Sequence, residues 1–260
     1  MKRFFKIYKE CIHASVTSAA AYRADFILSN IITLLYNILL PLVTILIYGA
    51  GRSFPGWGFY EVLLIQSIFT LSNGFTSMTV SGILYMTMGR VKSGDYEIIL
   101  LKPMDPLLYL VFTSFSLSSL GLIIGGIALF TVAVVHTGIA GFLQVLEFIV
   151  LFLSGTAVMS GLWLLMAALS FQWVGNSRLS EIFDSLQEFG KYPLGIFPKI
   201  VQGLATFLIP VGMIGFYPAS ALLGRTEPVI LWFIIPAILF LLLGIFLYHY
   251  MIRLYKGVGG

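Results

Sequence analysis

The sequence predicts an all-α polytopic membrane protein: an N-terminal amphipathic interfacial helix, then six transmembrane helices, with both termini cytoplasmic. Composition is the first reason. Hydrophobic residues make up 59% and charged residues 10%, with a mean hydropathy of +0.99. A soluble domain carries about 25% charged residues, so this chain cannot cover a globular surface with polar groups. Second, Asp, Glu, Lys and Arg leave six long uncharged runs, 26–51, 62–89, 106–146, 148–177, 200–224 and 228–252. Each exceeds the roughly 20 helical residues that cross a hydrocarbon core. Third, the basic residues are concentrated in alternate loops.

Residues 2–20 come first. Lys2, Lys6, Lys9 and His13 recur on one helical face and Phe4, Ile7, Tyr8 and Cys11 on the other, the pattern of a basic helix lying in the headgroup plane over residues 1–22. Glu10 and His13 interrupt what would be the apolar core of a signal peptide, so this stretch is expected to be retained. Backbone groups in lipid must bond within their own segment, so each uncharged run should be a helix. The spans are placed at about 26–50, 61–88, 107–135, 148–172, 199–216 and 229–252. The run 106–146 is too long for one crossing, and His136, Thr137, Gly138 and Gly141 end its apolar part. Between the second and third spans, residues 89–106 form a cytoplasmic loop. Residues 176–190 read as a helix along the cytoplasmic surface, with Asn176 or Ser177 as N-cap, Leu179, Ile182, Phe183 and Leu186 on one face, and Gly190 and Pro193 as stops. With the N-terminus inside, 13 basic residues face the cytoplasm and two, Arg52 and Arg225, face out, as the positive-inside rule requires.

The chemistry that is missing narrows the function. One cysteine, Cys11, excludes an intrachain disulfide and a cysteine-based metal cluster, and His13, His136 and His249 lack metal-ligand spacing. These spans carry no ionisable residue near their centres, which disfavours ion coupling and intramembrane hydrolysis. Glu61 and Glu147 fall at outward ends, where snorkelling suffices. No phosphate-binding loop is present; Gly190-Lys191 is the nearest fragment. No catalytic residue, metal or bound cofactor is therefore expected, and nothing implies nucleic acid.

What the spans offer is uncharged polarity. Asn30, Thr33, Asn37, Pro41 and Thr44 share a face of the first, and Gln66, Thr70, Asn73 and Ser77 a face of the second. Such stripes either join helices, at about 0.6 kcal/mol per hydrogen bond, or border a path for a partly polar substrate. Asn30, Asn37, Gln66, Asn73 and Ser77 are the candidates for the second role. The small-residue stripe Ser114, Ser118, Gly121 and Gly125 reads as close packing. The loop 89–106 combines Arg90, Lys92, Gly94, Asp95, Tyr96 and Glu97 with Leu100, Leu101, Pro103 and Pro106, a stiff charged projection.

The basic first helix, Gly94-Asp95-Tyr96-Glu97 through Leu101-Lys102-Pro103, Tyr217-Pro218-Ala219 through Leu222-Leu223-Gly224, and Tyr255-Lys256-Gly257 occur in an order that resembles the permease subunits of type-2 ATP-binding-cassette (ABC) exporters, in the bacterial branch with six spans. The resemblance implies two six-span permeases, identical or related, in the bacterial inner membrane, with two cytoplasmic ATPase subunits that hold the ATP and magnesium. It implies that the first, second and fifth spans line the path. It also implies that the loop around 89–100 is a coupling helix, with Arg90, Lys92, Gly94, Asp95, Tyr96 and Glu97 docking on the ATPase, and Tyr96, Ile98 and Ile99 as its apolar anchor. Cargo is left open among drugs, lipids and glycans. The rival is an ATP-independent carrier or scramblase.

Overall fold

The computed structural model describes residues 2–173, 177–225 and 232–255. Every regular element among them is helical. Helix α1 (Lys2–Ala21) runs almost directly into α2 (Arg23–Gly49), the Ser18 carbonyl accepting from the Tyr22 amide at 2.9 Å across the joint. Four helical stretches are each long and apolar enough to cross a membrane: Arg23–Gly49, Leu117–Thr137, Phe142–Leu169 and Ile234–Leu254.

The expected second and third spans include shorter pieces. The second is α3 (Phe59–Thr79) and α4 (Ser81–Ser93), broken at Val80. The third is α6 (Pro106–Thr113) and α7 (Leu120–Thr137), separated by a 3₁₀ turn. The two breaks face each other and satisfy each other's backbone. Ser114 Oγ donates to the Thr79 carbonyl at 2.9 Å, and the Ser116 amide to the Met78 carbonyl at 3.0 Å. Interruptions at membrane depth are tolerated only when freed groups find such partners. From α1, Ser15 Oγ closes on the Phe115 carbonyl at 2.6 Å, and Tyr8 packs on Phe112 and Phe115.

Two continuous helices, α8 (Phe142–Leu169) and α12 (Ile234–Leu254), form the longest seam. A Cβ at Gly161 would lie 2.9 Å from the Phe240 ring, and one at Gly244 would lie 3.0 Å from the Gly161 carbonyl, so only glycine permits this approach. The predicted small-residue stripe packs likewise: a Cβ at Gly121 would lie 2.5 Å from the Asn30 carbonyl.

The segment between α8 and α12 is built from short helical pieces. Helix α9 (Ser177–Glu188) is helical as predicted, although the proposed N-cap at Asn176 lies outside the described residues. It does not stand apart from the bundle. Its continuation places Gly190 against the Phe69 ring, and the Tyr192 ring meets that of Phe54 at a tilt, 5.8 Å between centres. Phe54 belongs to the loop between α2 and α3, at the end of the bundle opposite Tyr96. Twelve residues of α-helix and a three-residue 3₁₀ turn rise about 24 Å together, enough to connect the two ends.

Nor is 199–216 one straight helix. It comprises α10 (Lys199–Gly203), a π turn (Leu204–Leu208), a break at Ile209 and Pro210, and a 3₁₀ turn before α11 (Phe216–Leu222). This stretch dips and returns. Its turn meets α8 at Gly155, where a Cβ would lie 2.3 Å from the Met213 carbonyl, about 20 Å along α8 from its start. It comes back to the same end, the Leu222 carbonyl accepting from the Ala140 amide at 3.1 Å. Ser72 Oγ donates to the Ile214 carbonyl at 3.2 Å at the bottom of the dip. Thr206 Oγ1 and the Tyr217 hydroxyl, 2.8 Å apart, join its two arms.

Candidate functional site

The loop predicted to project is held from beneath by aromatic side chains. Helix α4 ends at Gly94, whose φ of +81° suits glycine at a helix C-terminus, and one further turn, α5 (Glu97–Leu100), follows. Tyr96 is fully buried. Its hydroxyl lies 3.1 Å from that of Tyr248 on α12, which lies 2.7 Å from Thr87 Oγ1 on α4. Its ring meets Phe171 edge-on at 4.8 Å and Tyr255 at 5.6 Å. Burial, with the adjacent Tyr248 adding to it, pushes the Tyr96 hydroxyl far above the ordinary phenol range, so the group stays a neutral hydrogen-bonding post.

At the far end of the loop Asp105 caps α6 by accepting from the Leu108 amide at 2.9 Å, and its other oxygen meets His249 Nε2 at 2.9 Å. Partial burial works against its charge. The amide and imidazole bonds outweigh burial and hold the carboxyl below the usual carboxylate range.

This arrangement divides the predicted loop residues. Tyr96 and Ile99, expected as part of an apolar anchor for a partner, are fully buried in their own chain. They turn inward because α12 offers Tyr248 a hydroxyl's distance away. Lys92, Asp95 and Glu97 are exposed, and Arg90 is half-buried. Ile98 is 49% exposed, Leu100 40% and Leu101 83%, so apolar side chains remain on the outer face. Tyr248, Phe171, Tyr255 and the Asp105–His249 link were not identified from sequence. The aromatic-rich end of the last helix, Tyr248-His249-Tyr250, was the signal that could have found them.

The polar stripes divide as well. Asn30 Oδ1 accepts from the Gly121 amide at 2.6 Å while its amide donates to the Phe26 carbonyl at 2.8 Å. Asn37 donates to the Thr33 carbonyl at 3.1 Å beside Gly125. Gln66 is fully buried and donates to Thr44 Oγ1 at 2.7 Å. The α2 stripe is thus a seam against α3 and α7. Asn73 and Ser77, bonded to each other at 3.2 Å, instead line an open cavity. Across it stand Asp184, Gln187, Glu188 and Lys191 of α9 and its continuation. Those four belong to the stretch read from sequence as a cytoplasmic surface helix.

The opposite end is clamped by Arg225. It pairs with Glu61, donates to the Gly56 carbonyl at 3.1 Å and covers the Trp57 ring at 4.9 Å. Glu61 also accepts from the Gly58 amide at 2.8 Å, opening α3.

The sequence profile of the ABC-2 family transporter proteins matches residues 32–259, from α2 to the C-terminus. The chain belongs to the ABC-2 transporter family. It is therefore a multi-pass membrane permease of an ABC transporter, the transport component and not the ATPase, and an ABC ATPase subunit is its partner. Among curated proteins and among solved structures no match was found. In this ABC-2 permease the matched region includes both the braced loop and the dipping segment.

Proposed function

We propose that two copies of this permease, or one copy and a related permease, form a pathway that two cytoplasmic ATPases open alternately inward and outward, exporting an amphipathic or partly polar substrate from the cytoplasm or inner leaflet. ATP and magnesium belong to the ATPase subunits. The family match over residues 32–259 carries this reading. The loop supports it mechanically. A partner can bias a conformation only through contacts that differ between states, and a loop tied through Tyr96–Tyr248 to α12 and through Asp105–His249 to the same helix would pass a push at Glu97 into the last span.

The layout supports six crossings, with α9 and its continuation to Tyr192 as the fifth and Lys199–Leu222 as a re-entrant segment from the outer side. Under that layout 11 basic residues remain cytoplasmic, three (Arg52, Lys199, Arg225) face out, and Lys191 sits within the fifth crossing. The N-terminus remains inside. Docking would use Lys92, Asp95 and Glu97 around an apolar centre of Ile98 and Leu101.

Co-expression with the ATPase, followed by pull-down, tests this. Losing one member of a desolvated charge pair costs about 2–5 kcal/mol, so Glu97→Arg combined with Leu101→Asp should abolish ATPase capture while leaving folding intact. Normal capture and normal substrate-stimulated hydrolysis in that variant would remove the loop from the coupling role. Transport by the chain without any ATPase would favour the carrier or scramblase reading.

A further inference from the structure

The cavity bordered by α2, α3, α8 and α9 encloses about 290 Å³. Its floor includes Phe69, Trp163 and Gln187, which are 3%, 9% and 6% exposed. Two N–H donors in that floor, Trp163 Nε1 and Gln187 Nε2, are buried without a hydrogen-bond partner. Buried donors are seldom left so, because an unmade bond costs more than a made one contributes. Asn73 contributes a further amide. At the rim, the Glu188 carboxylate is taken by Lys191, whose ammonium also lies 5.1 Å from the centre of the Phe69 ring. Asp184 is exposed beside them, and among the described residues no cation lies within ion-pair distance of it. The Tyr36 ring, 69% exposed, forms the remaining wall.

We infer that this cavity is a subsite for a polyhydroxylated group, the glycosyl head of an amphiphile, held by the free donors of Trp163 and Gln187, the Asn73 amide and the Asp184 carboxylate. The inference rests on the reading that α9 borders the transport path. Hydroxyl groups answer the polar elements of the wall: they accept from the two donors, donate to the carboxylate, and leave a C–H face to lie on the exposed Tyr36 ring. A phosphate or sulfate would face Asp184 and Glu188 with Lys191 already engaged. An ammonium would satisfy Asp184 and bring no acceptor for the donors, and an apolar group would leave them unpaired. The volume lies at the lower end of the roughly 300–1,000 Å³ typical of drug-sized sites, which suits one or two sugar rings. Ile32 and Leu39, exposed on the Tyr36 face of α2, offer an apolar track for the tail.

The test is fluorescence anisotropy on the full chain in lipid nanodiscs with three probes that share one dye-tagged decyl chain and differ in the head: maltoside, trimethylammonium or sulfate. The maltoside should bind about tenfold more tightly than the others. Trp163→Phe, which keeps a ring and removes the N–H, and Gln187→Leu should each weaken it about three- to tenfold, the worth of one neutral hydrogen bond, and leave the other two probes unchanged. Glu181→Gln, on α9 outside the cavity, should change nothing. If either variant misfolds, Asn73→Leu takes its place with the same expectation. Equal binding of the three heads, or unaltered maltoside binding in folded variants, overturns the subsite and leaves the donors to water. ATP-coupled transport that persists after such a result would keep the permease reading standing, whereas failure to couple to any ATPase would remove that reading whatever the anisotropy shows.

Discussion

Helices α8 and α12 and the segment Ser177–Leu222 occupy neighbouring volumes and are built on opposite principles. The α8–α12 pair is continuous, predominantly apolar and joined backbone to backbone at Gly161 and Gly244. The segment Ser177–Leu222 is a sequence of short pieces, interrupted at Pro193, Pro198 and Pro210. Its carbonyls are satisfied from outside by Ser72, and its arms are tied by Thr206 and Tyr217. The first region needs only hydrophobic length to be stable in lipid. The second needs a surrounding bundle, because exposed polar backbone cannot face hydrocarbon and irregular chain survives only where protein covers it. The bundle thus supplies a scaffold of long helices and, leaning on it, a segment able to present charged and amide groups to a cavity.

The junction between the two regions is where the contrast breaks most easily. Gly155→Ala would set a methyl group 2.3 Å from the Met213 carbonyl, too close for either backbone to remain in place. Overpacking of this kind costs about 1–3 kcal/mol, and a fall in unfolding temperature of the purified chain should be the largest in this set. A near-normal melt would mean that the re-entrant turn does not rest on α8.

Thr206→Val should come next. It leaves the Tyr217 hydroxyl without its partner at a cost of about 1 kcal/mol, and limited proteolysis should then cut between residues 204 and 217 faster while α8 and α12 stay protected. Uniform protection would place the two arms apart.

Smaller still is the effect expected of Tyr248→Phe. Thr87 and Tyr96 lose a shared hydroxyl within an otherwise intact aromatic cluster, worth about 0.5–1.5 kcal/mol, and ATPase stimulation should fall more than stability does. If stability falls and stimulation per folded complex is unchanged, Tyr248 only packs.

The contrast also explains what could be read in advance. The continuous helices were legible because length and hydropathy suffice to define them, and the small-residue stripe around Gly121 was legible because close approach leaves no room for a side chain. The uncharged run 200–224 has the length of a span, yet Pro210 removes a helical amide and Gly212 and Gly215 admit close backbone contacts, so the run folds back. Helix α9 showed its amphipathic face in the sequence. Nothing local says what the polar side faces, since the contacts of Gly190 with Phe69 and Tyr192 with Phe54 are long-range. The burial of Tyr96 was hidden for a similar reason: an aromatic in a charged loop looks exposed until its link to Tyr248 on the last helix is seen.

The central claim is that α9 crosses the membrane and that the stretch after it dips back from the outer side. Lys199 tests it most directly, because a surface-lying α9 would leave that residue in the cytoplasm. With Cys11 replaced, single cysteines at Arg52, Ser93 and Lys199 should be probed with an impermeant thiol reagent on intact cells. Lys199→Cys should label as Arg52→Cys does, and Ser93→Cys should label only after permeabilisation. Protection of Lys199→Cys in intact cells, with labelling that follows Ser93→Cys, would contradict the crossing and return α9 to the cytoplasmic surface.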